Sequence, residues 1–134
     1  MEGERDLHKI LKTMNPKLNT GDYVFCSVKN LKLIDVQDTK NVIMTFIEKE
    51  GFTIILKKEI ADKLNLKYYL VTSWITLTVH SSLEAIGLTS TFSKALAEKE
   101  VGCNVVAAFY HDHIFVPKKD AKKAMNILKG LTKQ

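Results

Sequence analysis

The sequence predicts an α+β protein built from two similar βαββαβ-like units, the first of which lacks one helix. Three observations lead to this fold class. The chain has 134 residues, 46% of them hydrophobic, which is enough to bury a core without disulfides or metals. Short strand-like runs alternate with segments of helical spacing. In addition, parts of the first half of the chain recur in the second half.

The strands and helices are predicted from the spacing of the apolar residues. Short β-branched and aromatic runs predict strands at residues 23–28, 42–47, 52–56, 69–79, 104–110 and 114–116. Apolar residues at helical spacing predict helices at residues 4–13, 58–64, 88–96 and 121–128, with Gly130 at the end of the last one. The second half then has the order strand, helix, strand, strand, helix, with a hairpin turn near His111 and Asp112.

The internal repeat relates the two halves. The segment NVIMTF at residues 41–46 recurs as NVVAAF at 104–109, and KKE at 57–59 recurs as KKD at 118–120. Between its first two strands the first copy has only about 13 residues and the second about 24, so only the second has room for a full crossover helix. We predict an N-terminal unit at residues 1–68 and a C-terminal unit at 69–134 in one continuous body, with the first helix covering a sheet face.

Composition excludes several classes of protein. The longest apolar stretches have about seven residues, against the roughly 20 that a membrane span needs, and the N-terminal MEGERDLHK lacks the apolar core of a signal peptide. Cys26 and Cys103 are far apart and have no metal-binding spacing, so we expect buried thiols in a cytoplasmic protein.

The positive charge is modest and is carried by lysines. Lysine and arginine number 20 against 15 acidic residues, and Arg5 is the sole arginine. Six lysines of the last segment are expected opposite its apolar stripe: Lys118, Lys119, Lys122, Lys123, Lys129 and Lys133. A solvated helix face is favoured over a nucleic-acid interface. RNA-recognition domains share the βαββαβ plan, but their glycine-aromatic signature is absent from this sequence, so nucleic-acid binding is the disfavoured alternative.

The densest polar segment is the loop HSSLEAIGL at residues 80–88, between a strong strand and a strong helix. Backbone N–H groups at a helix N-terminus attract carboxylates and phosphates, and Gly87 permits a close backbone approach or a positive φ. The loop is therefore a candidate cradle for an anion or a zwitterion. A capping box of Ser81 and Glu84, which would satisfy the first N–H groups of the helix, is the alternative interpretation.

The second half of the chain resembles the ACT domain, a small-molecule regulatory module of amino-acid metabolism. The resemblance is carried by the strand at residues 74–79, the loop HSSLEAIGL, the helix through Leu96 and the segment CNVVAAFYHDHIFVP at 103–117. As a whole, the chain is similar to a family of small stand-alone bacterial proteins with two ACT-like units. That family is related to the regulatory regions of aspartate kinases and to the eukaryotic cytosolic arginine sensor.

The resemblance implies a ferredoxin-like fold in which amino acids bind at an interface between ACT units, with no cofactor and no catalysis. In aspartate kinases the ligand is held by the loop after the first strand and by an Asn-Ile/Val pair that opens the second. The matching ligand-binding residues are His80, Ser81, Ser82, Glu84, Ile86, Gly87, Leu88, Asn104 and Val105. Asn41 and Val42 match in the first copy, but its missing helix puts a second full site in doubt. A regulated protein partner is implied, because no kinase domain accompanies the two units.

The segment His111-Asp112-His113 offers up to three metal ligands, and His80 could join them. No fourth ligand follows at a recognisable spacing, so a packing or turn role at an exposed hairpin tip is favoured over a metal site, with ligand contact as a third alternative. No nucleophile motif or phosphate-binding loop occurs, and the apolar sequence after Cys103 predicts a buried thiol rather than a nucleophile.

A ferredoxin-like sheet leaves one face open and its edge strands unpaired, so we predict a homodimer. A ligand-free structural assembly module would have the same fold and remains an alternative to the amino-acid-binding function.

Overall fold

Within residues 6–32, 34–35, 38, 40–78 and 87–133, which the computed structural model describes, the chain forms four α-helices and seven strands. In chain order they are α1 (Leu7–Thr13), β1 (Asn15–Leu18), β2 (Tyr23–Val28), β3 (Val42–Glu48), β4 (Gly51–Lys57), α2 (Lys58–Lys63), β5 (Thr72–Thr78), α3 (Leu88–Glu98), β6 (Asn104–Ala107), β7 (Asp112–Pro117) and α4 (Ala121–Leu131). A short 3₁₀ turn at Lys118–Asp120 leads into α4. None of the described helices is long and apolar enough to cross a membrane.

The chain divides into two compact units. Unit 1 combines Met1–Thr20 with Ser73–Gln134, and unit 2 is Gly21–Thr72. The N-terminal helix and β1 therefore pack with the C-terminal half of the chain. Both units have antiparallel strand pairs and helices, which confirms the predicted α+β, ferredoxin-like class with two related units.

Unit 1 has the strand order β1-β5-β7-β6. Its elements β5, α3, β6, β7 and α4 follow one another in the chain, and β1 adds the sixth element by pairing antiparallel with β5, Pro16 opposite Leu77. The βαββαβ unit is thus completed by a strand from the other end of the chain.

One hydrophobic core supports the sheet of unit 1. Alternate residues of β5 and β7 point into it, because successive side chains of a strand point to opposite faces. The fully or nearly fully buried core residues are Ile10, Met14, Ile75, Leu77, Leu88, Phe92, Leu96, Val101, Ile114, Val116, Ala124, Leu128 and Leu131. The predicted role of the N-terminal helix in covering a sheet face is confirmed, since α1 contributes Ile10, its C-cap Met14 is also buried in the core, and α1 packs against α3.

Unit 2 is smaller and has the strand order β3-β4-β2. Its core consists of Val24, Cys26, Ile34, Val42, Ile54, Leu56 and Ala61, the last of which lies on α2. Between β2 and β3 the described residues form only turns and bends. The prediction that the first copy lacks its first helix is therefore confirmed for the described part of that segment.

Several predicted boundaries were wrong. The helix expected at residues 4–13 begins at Leu7, because the Asp6 side chain accepts the His8 N–H (3.0 Å) and caps it. The strand expected at 69–79 begins only at Thr72. Gly130 lies one residue inside α4 rather than after its end.

Two features of the strands were also mispredicted. The strand β1 was missed because Pro16 argues against a strand, yet proline is tolerated at a sheet edge, where β1 pairs only with β5. The strand expected at 104–110 ends at Ala107, and the turn spans residues 108–111, closed by the Ala108 N–H on the His111 carbonyl (3.1 Å).

Candidate functional site

Five of the nine predicted ligand-binding residues lie outside the described residues: His80, Ser81, Ser82, Glu84 and Ile86. The other four, Gly87 and Leu88 of the loop and Asn104 and Val105 of β6, are described and all belong to unit 1.

Gly87 is the N-cap of α3 and has a left-handed backbone, with φ +93° and ψ −9°. Its carbonyl accepts the Thr91 N–H (2.9 Å) and the Ser90 hydroxyl (3.1 Å). The predicted capping box of Ser81 and Glu84 lies outside the described residues, and the N-cap Gly87 has no side chain with which to cap the helix. A glycine N-cap leaves the first N–H donors of a helix to other acceptors.

The Asn104-Val105 pair divides between the two faces of the sheet. Val105 lies opposite Ile114 and packs against the core of unit 1, where Leu88 is also buried. Asn104 lies opposite Phe115, and its side chain is exposed. Leu88 at the end of the loop and Val105 at the start of β6 thus pack on one core. These two residues can offer a ligand only backbone groups, whereas Asn104 can offer its side chain.

The equivalent asparagine of the first copy is engaged differently. The Asn41 side-chain amide donates to the Asp38 carboxylate, and Val42 is buried in the core of unit 2. The internal repeat therefore preserves the strand start but not the exposed asparagine.

A polar network, which sequence reasoning missed, lies on the other face of the unit 1 sheet. The Trp74 indole Nε1–H donates to His113 Nδ1 (3.0 Å), and the Thr76 Oγ1 lies 3.2 Å from the same nitrogen. Asn19 Nδ2 donates in turn to Thr76 Oγ1 (2.9 Å). The spacing of Trp74 and Thr76 on a strand was the available signal, since residues two apart share a face.

The His111-Asp112-His113 segment is not an exposed hairpin tip. Asp112 and His113 belong to β7, and all three residues are half-buried. Burial, followed by the nearby charge of His111, lowers the pKa of His113, whereas burial raises the pKa of Asp112. His111 Nδ1 is buried and has no hydrogen-bond partner among the described residues. Among all the residues that the structure describes, no three His, Cys, Asp or Glu side chains come together in a group that could hold a metal ion.

Unit 2 contains a cavity of about 940 Å³ that no sequence motif indicated. Its lining residues are Phe25, Cys26, Ser27, Thr53, Asp62, Asn65, Leu66, Lys67, Tyr68 and Tyr69. At its rim, hydrogen bonds from Lys58 Nζ (2.8 Å) and the Tyr68 hydroxyl (2.6 Å) lower the pKa of Asp62. The cavity combines aromatic walls with the hydroxyls of Ser27 and Thr53, which face each other across β2 and β4. Sequence reasoning could not find it, because its residues come from three separate segments.

The two thiols have no activated character. Both cysteines are free, and burial raises the pKa of Cys26 and raises that of Cys103 to about 11. A thiol with a raised pKa has little thiolate at neutral pH and is a poor nucleophile.

The charged side chains of the last segment are exposed. The six lysines are all exposed, as the helical spacing predicts: Lys118, Lys119, Lys122, Lys123, Lys129 and Lys133.

Comparisons with known proteins identify the two halves. Models of the ACT domain match residues 2–73 and 70–130. No curated protein matches the chain. A protein of unknown function from Vibrio cholerae, described as a possible transport protein, is 44% identical with a TM-score of 0.83, over 96% of this chain and 97% of that one.

Regulatory domains of aspartate kinase share the fold. A C-terminal regulatory domain from Porphyromonas gingivalis is 15% identical (TM-score 0.60, 90% of this chain and 98% of that one). The regulatory subunit from Thermus thermophilus is 7% identical (TM-score 0.58, 88% and 95%). These matches confirm the predicted resemblance and fold class.

Proposed function

This chain belongs to the ACT-domain family, and we propose that it is a regulatory protein that binds a free amino acid or a similar zwitterion in unit 1. Two features of unit 1 carry the proposal. These are the α3 start, led by the left-handed Gly87, and the exposed Asn104 at the start of β6, whose neighbour Val105 packs on the same core as Leu88.

The chemistry of the two features suits a zwitterion. An α-carboxylate requires convergent N–H donors, which the first turn of α3 supplies together with the positive end of the helix dipole. An α-ammonium requires oxygen acceptors, which the Asn104 side chain and nearby carbonyls supply. The loop residues His80, Ser81, Ser82, Glu84 and Ile86 complete the proposed site, Glu84 suiting a basic ligand group and Ile86 an apolar one.

The protein acts without catalysis in this proposal. The poorly nucleophilic thiols and the match to a regulatory domain family support a sensor rather than an enzyme. We propose that it works through a protein partner in the cytoplasm. We further propose a homodimer. Light scattering at tens of micromolar tests it, and a monomer would contradict it.

A thermal-shift screen of the twenty free amino acids tests ligand binding. A ligand at 100 times its dissociation constant stabilises the folded state by about 2.7 kcal/mol, which is easily measured. If no amino acid shifts the melting temperature, the alternative of a ligand-free assembly module is favoured.

Variants then test the site. Gly87→Val should abolish the amino-acid-induced shift, because a side chain disfavours the left-handed backbone and fills the approach to the α3 N-terminus. Asn104→Ala should weaken binding with little loss of stability, because its side chain is exposed. The matched control is Asn41→Ala, at the equivalent position of the first copy, which should keep the full response. A full response in both Gly87→Val and Asn104→Ala would place the site elsewhere.

A further inference from the structure

Five residues of β5, β6 and β7 on the side of the unit 1 sheet that points away from the unit 1 core form what we call the Trp74 face: Trp74, Thr76, Asn104, His113 and Phe115. His113 is the only titratable residue among these five and is half-buried. The Trp74 ring also contacts Phe115, with 6.2 Å between ring centroids and an angle of 16° between planes.

The hydrogen bonds assign the protonation state of His113. An indole N–H can only donate, so His113 Nδ1 must accept from Trp74, and the neutral ring carries its proton on Nε2. Thr76 Oγ1 accepts from Asn19 and can direct its own hydrogen to the same Nδ1. Two donors therefore converge on one unprotonated nitrogen.

Adding a proton to Nδ1 affects the two donors differently. The Thr76 hydroxyl can rotate and become an acceptor, because a hydroxyl has both functions. The indole nitrogen of Trp74 can only donate, so its N–H would then face the new N–H of His113 with no acceptor between them. We propose that His113 is a proton sensor: one proton on Nδ1 displaces the Trp74 indole while Thr76 stays bonded.

The charged surroundings of His113 do not hold it protonated. Burial, followed by the charge of His111 in the adjoining turn, with 6.4 Å between the ring centroids, lowers the pKa of His113 and so opposes its protonation. On β1, Lys17 pairs opposite Thr76 and is a second cation on this side. Asp112 precedes His113 on β7 and, by strand alternation, points to the opposite face. On β6, the residue opposite His113 is the apolar Val106.

The sensor is connected to the proposed ligand site, a step that rests on the proposed function. Phe115, against which Trp74 stacks, is the cross-strand partner of Asn104. Movement of the indole therefore changes the packing of Phe115, which lies opposite Asn104, the asparagine that we assign to the ligand. Amino-acid binding should consequently depend on pH between about pH 7.5 and about pH 5.5, where histidines titrate.

The chain offers a specific readout, because Trp74 is its only tryptophan. The single indole N–H resonance and the tryptophan fluorescence are followed from about pH 8 to about pH 5, with circular dichroism as a check that the fold persists. We expect one single-proton transition with a midpoint below 6.5, the ordinary pKa of histidine. A signal that does not change over this range would overturn the proposal.

Three variants assign the transition. His113→Asn keeps an acceptor close to the position of Nδ1 but cannot titrate, so the transition should disappear. His111→Asn should move the midpoint up toward 6.5, because the charge of His111 lowers the pKa of His113. His8→Gln, at an exposed position of α1, is the matched control and should change nothing. A transition that survives in His113→Asn would refute the assignment.

The ligand connection is tested separately with the panel of twenty free amino acids. The indole titration needs no amino acid, so it stands or fails independently of the proposed function. If Trp74 titrates and the amino-acid-induced thermal shift is equal at about pH 7.5 and about pH 5.5, the connection to Asn104 is refuted.

Discussion

Replacing Gly87 by alanine should destabilise the protein by about 1–2 kcal/mol, the usual cost of a left-handed backbone for a residue with a Cβ atom. The φ of Gly87 is +93°. A Cβ there would lie 3.2 Å from Leu7 Cδ2, the end of a flexible side chain on α1 that can move aside. Backbone strain therefore accounts for most of the expected loss, and Gly87→Asn should lose less because asparagine tolerates this conformation better.

Thermal and urea unfolding followed by circular dichroism measure the change. A loss of 1 kcal/mol lowers Tm by roughly 2–8 °C over the range of domain sizes that includes this chain. Two matched glycines serve as controls, because a Cβ at Gly102 or Gly130 meets nothing within 4 Å. Gly130→Ala should even stabilise the protein by about 0.5–1 kcal/mol, since Gly130 lies within α4 and alanine is the better helix former.

The comparison is decisive because Gly87→Ala should lower the free energy of unfolding whereas Gly130→Ala should raise it. If Gly87→Ala were as stable as the unmodified protein, the left-handed α3 start would not exist in solution. The proposed N–H cradle would then lose its geometric basis.

Three further outcomes follow from burial. Burial and the charge of His111 lower the pKa of His113 in the folded state. The contribution of His113 to stability is therefore complete above pH 6.5 and is lost as pH falls through the lowered pKa. His113→Asn should flatten the dependence of Tm on pH below 6.5. Phe92→Ala, at a fully buried core position, should cost about 3–5 kcal/mol in urea unfolding, whereas Phe46→Ala, 60% exposed, should stay within about 0.5 kcal/mol. The Cys103 thiol, with a pKa of about 11, should be alkylated much more slowly in the native than in the unfolded protein at neutral pH, and equal rates would contradict its burial.

The secondary structure was largely predictable because its signals are local. The apolar spacing at Leu88, Phe92 and Leu96 predicts α3, and all three side chains are buried in one core. Where the prediction failed, tertiary pairing prevailed over local propensity. Pro16 argues against a strand, but β1 forms because β5 provides a partner, Leu77, which lies opposite Pro16. Phe109 and Tyr110 have strand-like side chains but lie in the turn after β6.

The candidate site was predictable only in part. The positive φ at Gly87 follows from glycine before a helix, and the structure confirms it. The separation of Asn104 from Val105 follows from strand alternation once the buried face is known. The apolar spacing predicts a helix from residue 88, where α3 begins, so the predicted capping box at residues 81 and 84 lies too far upstream in the sequence to flank this start.

Local patterns in this sequence are sufficient for the α+β class, the two related units and the missing helix of the first copy. They suffice because periodicity and loop length are properties of a few neighbouring residues, and a repeat is visible when two segments of the sequence are compared. The assignment of α1 and β1 to the C-terminal unit depends on residues far apart in the sequence, and so do the Trp74–His113 bond across 39 positions and the Asn19–Thr76 bond across 57. Only the folded chain selects such partners, because they form where the packing of a buried core brings distant strand faces together.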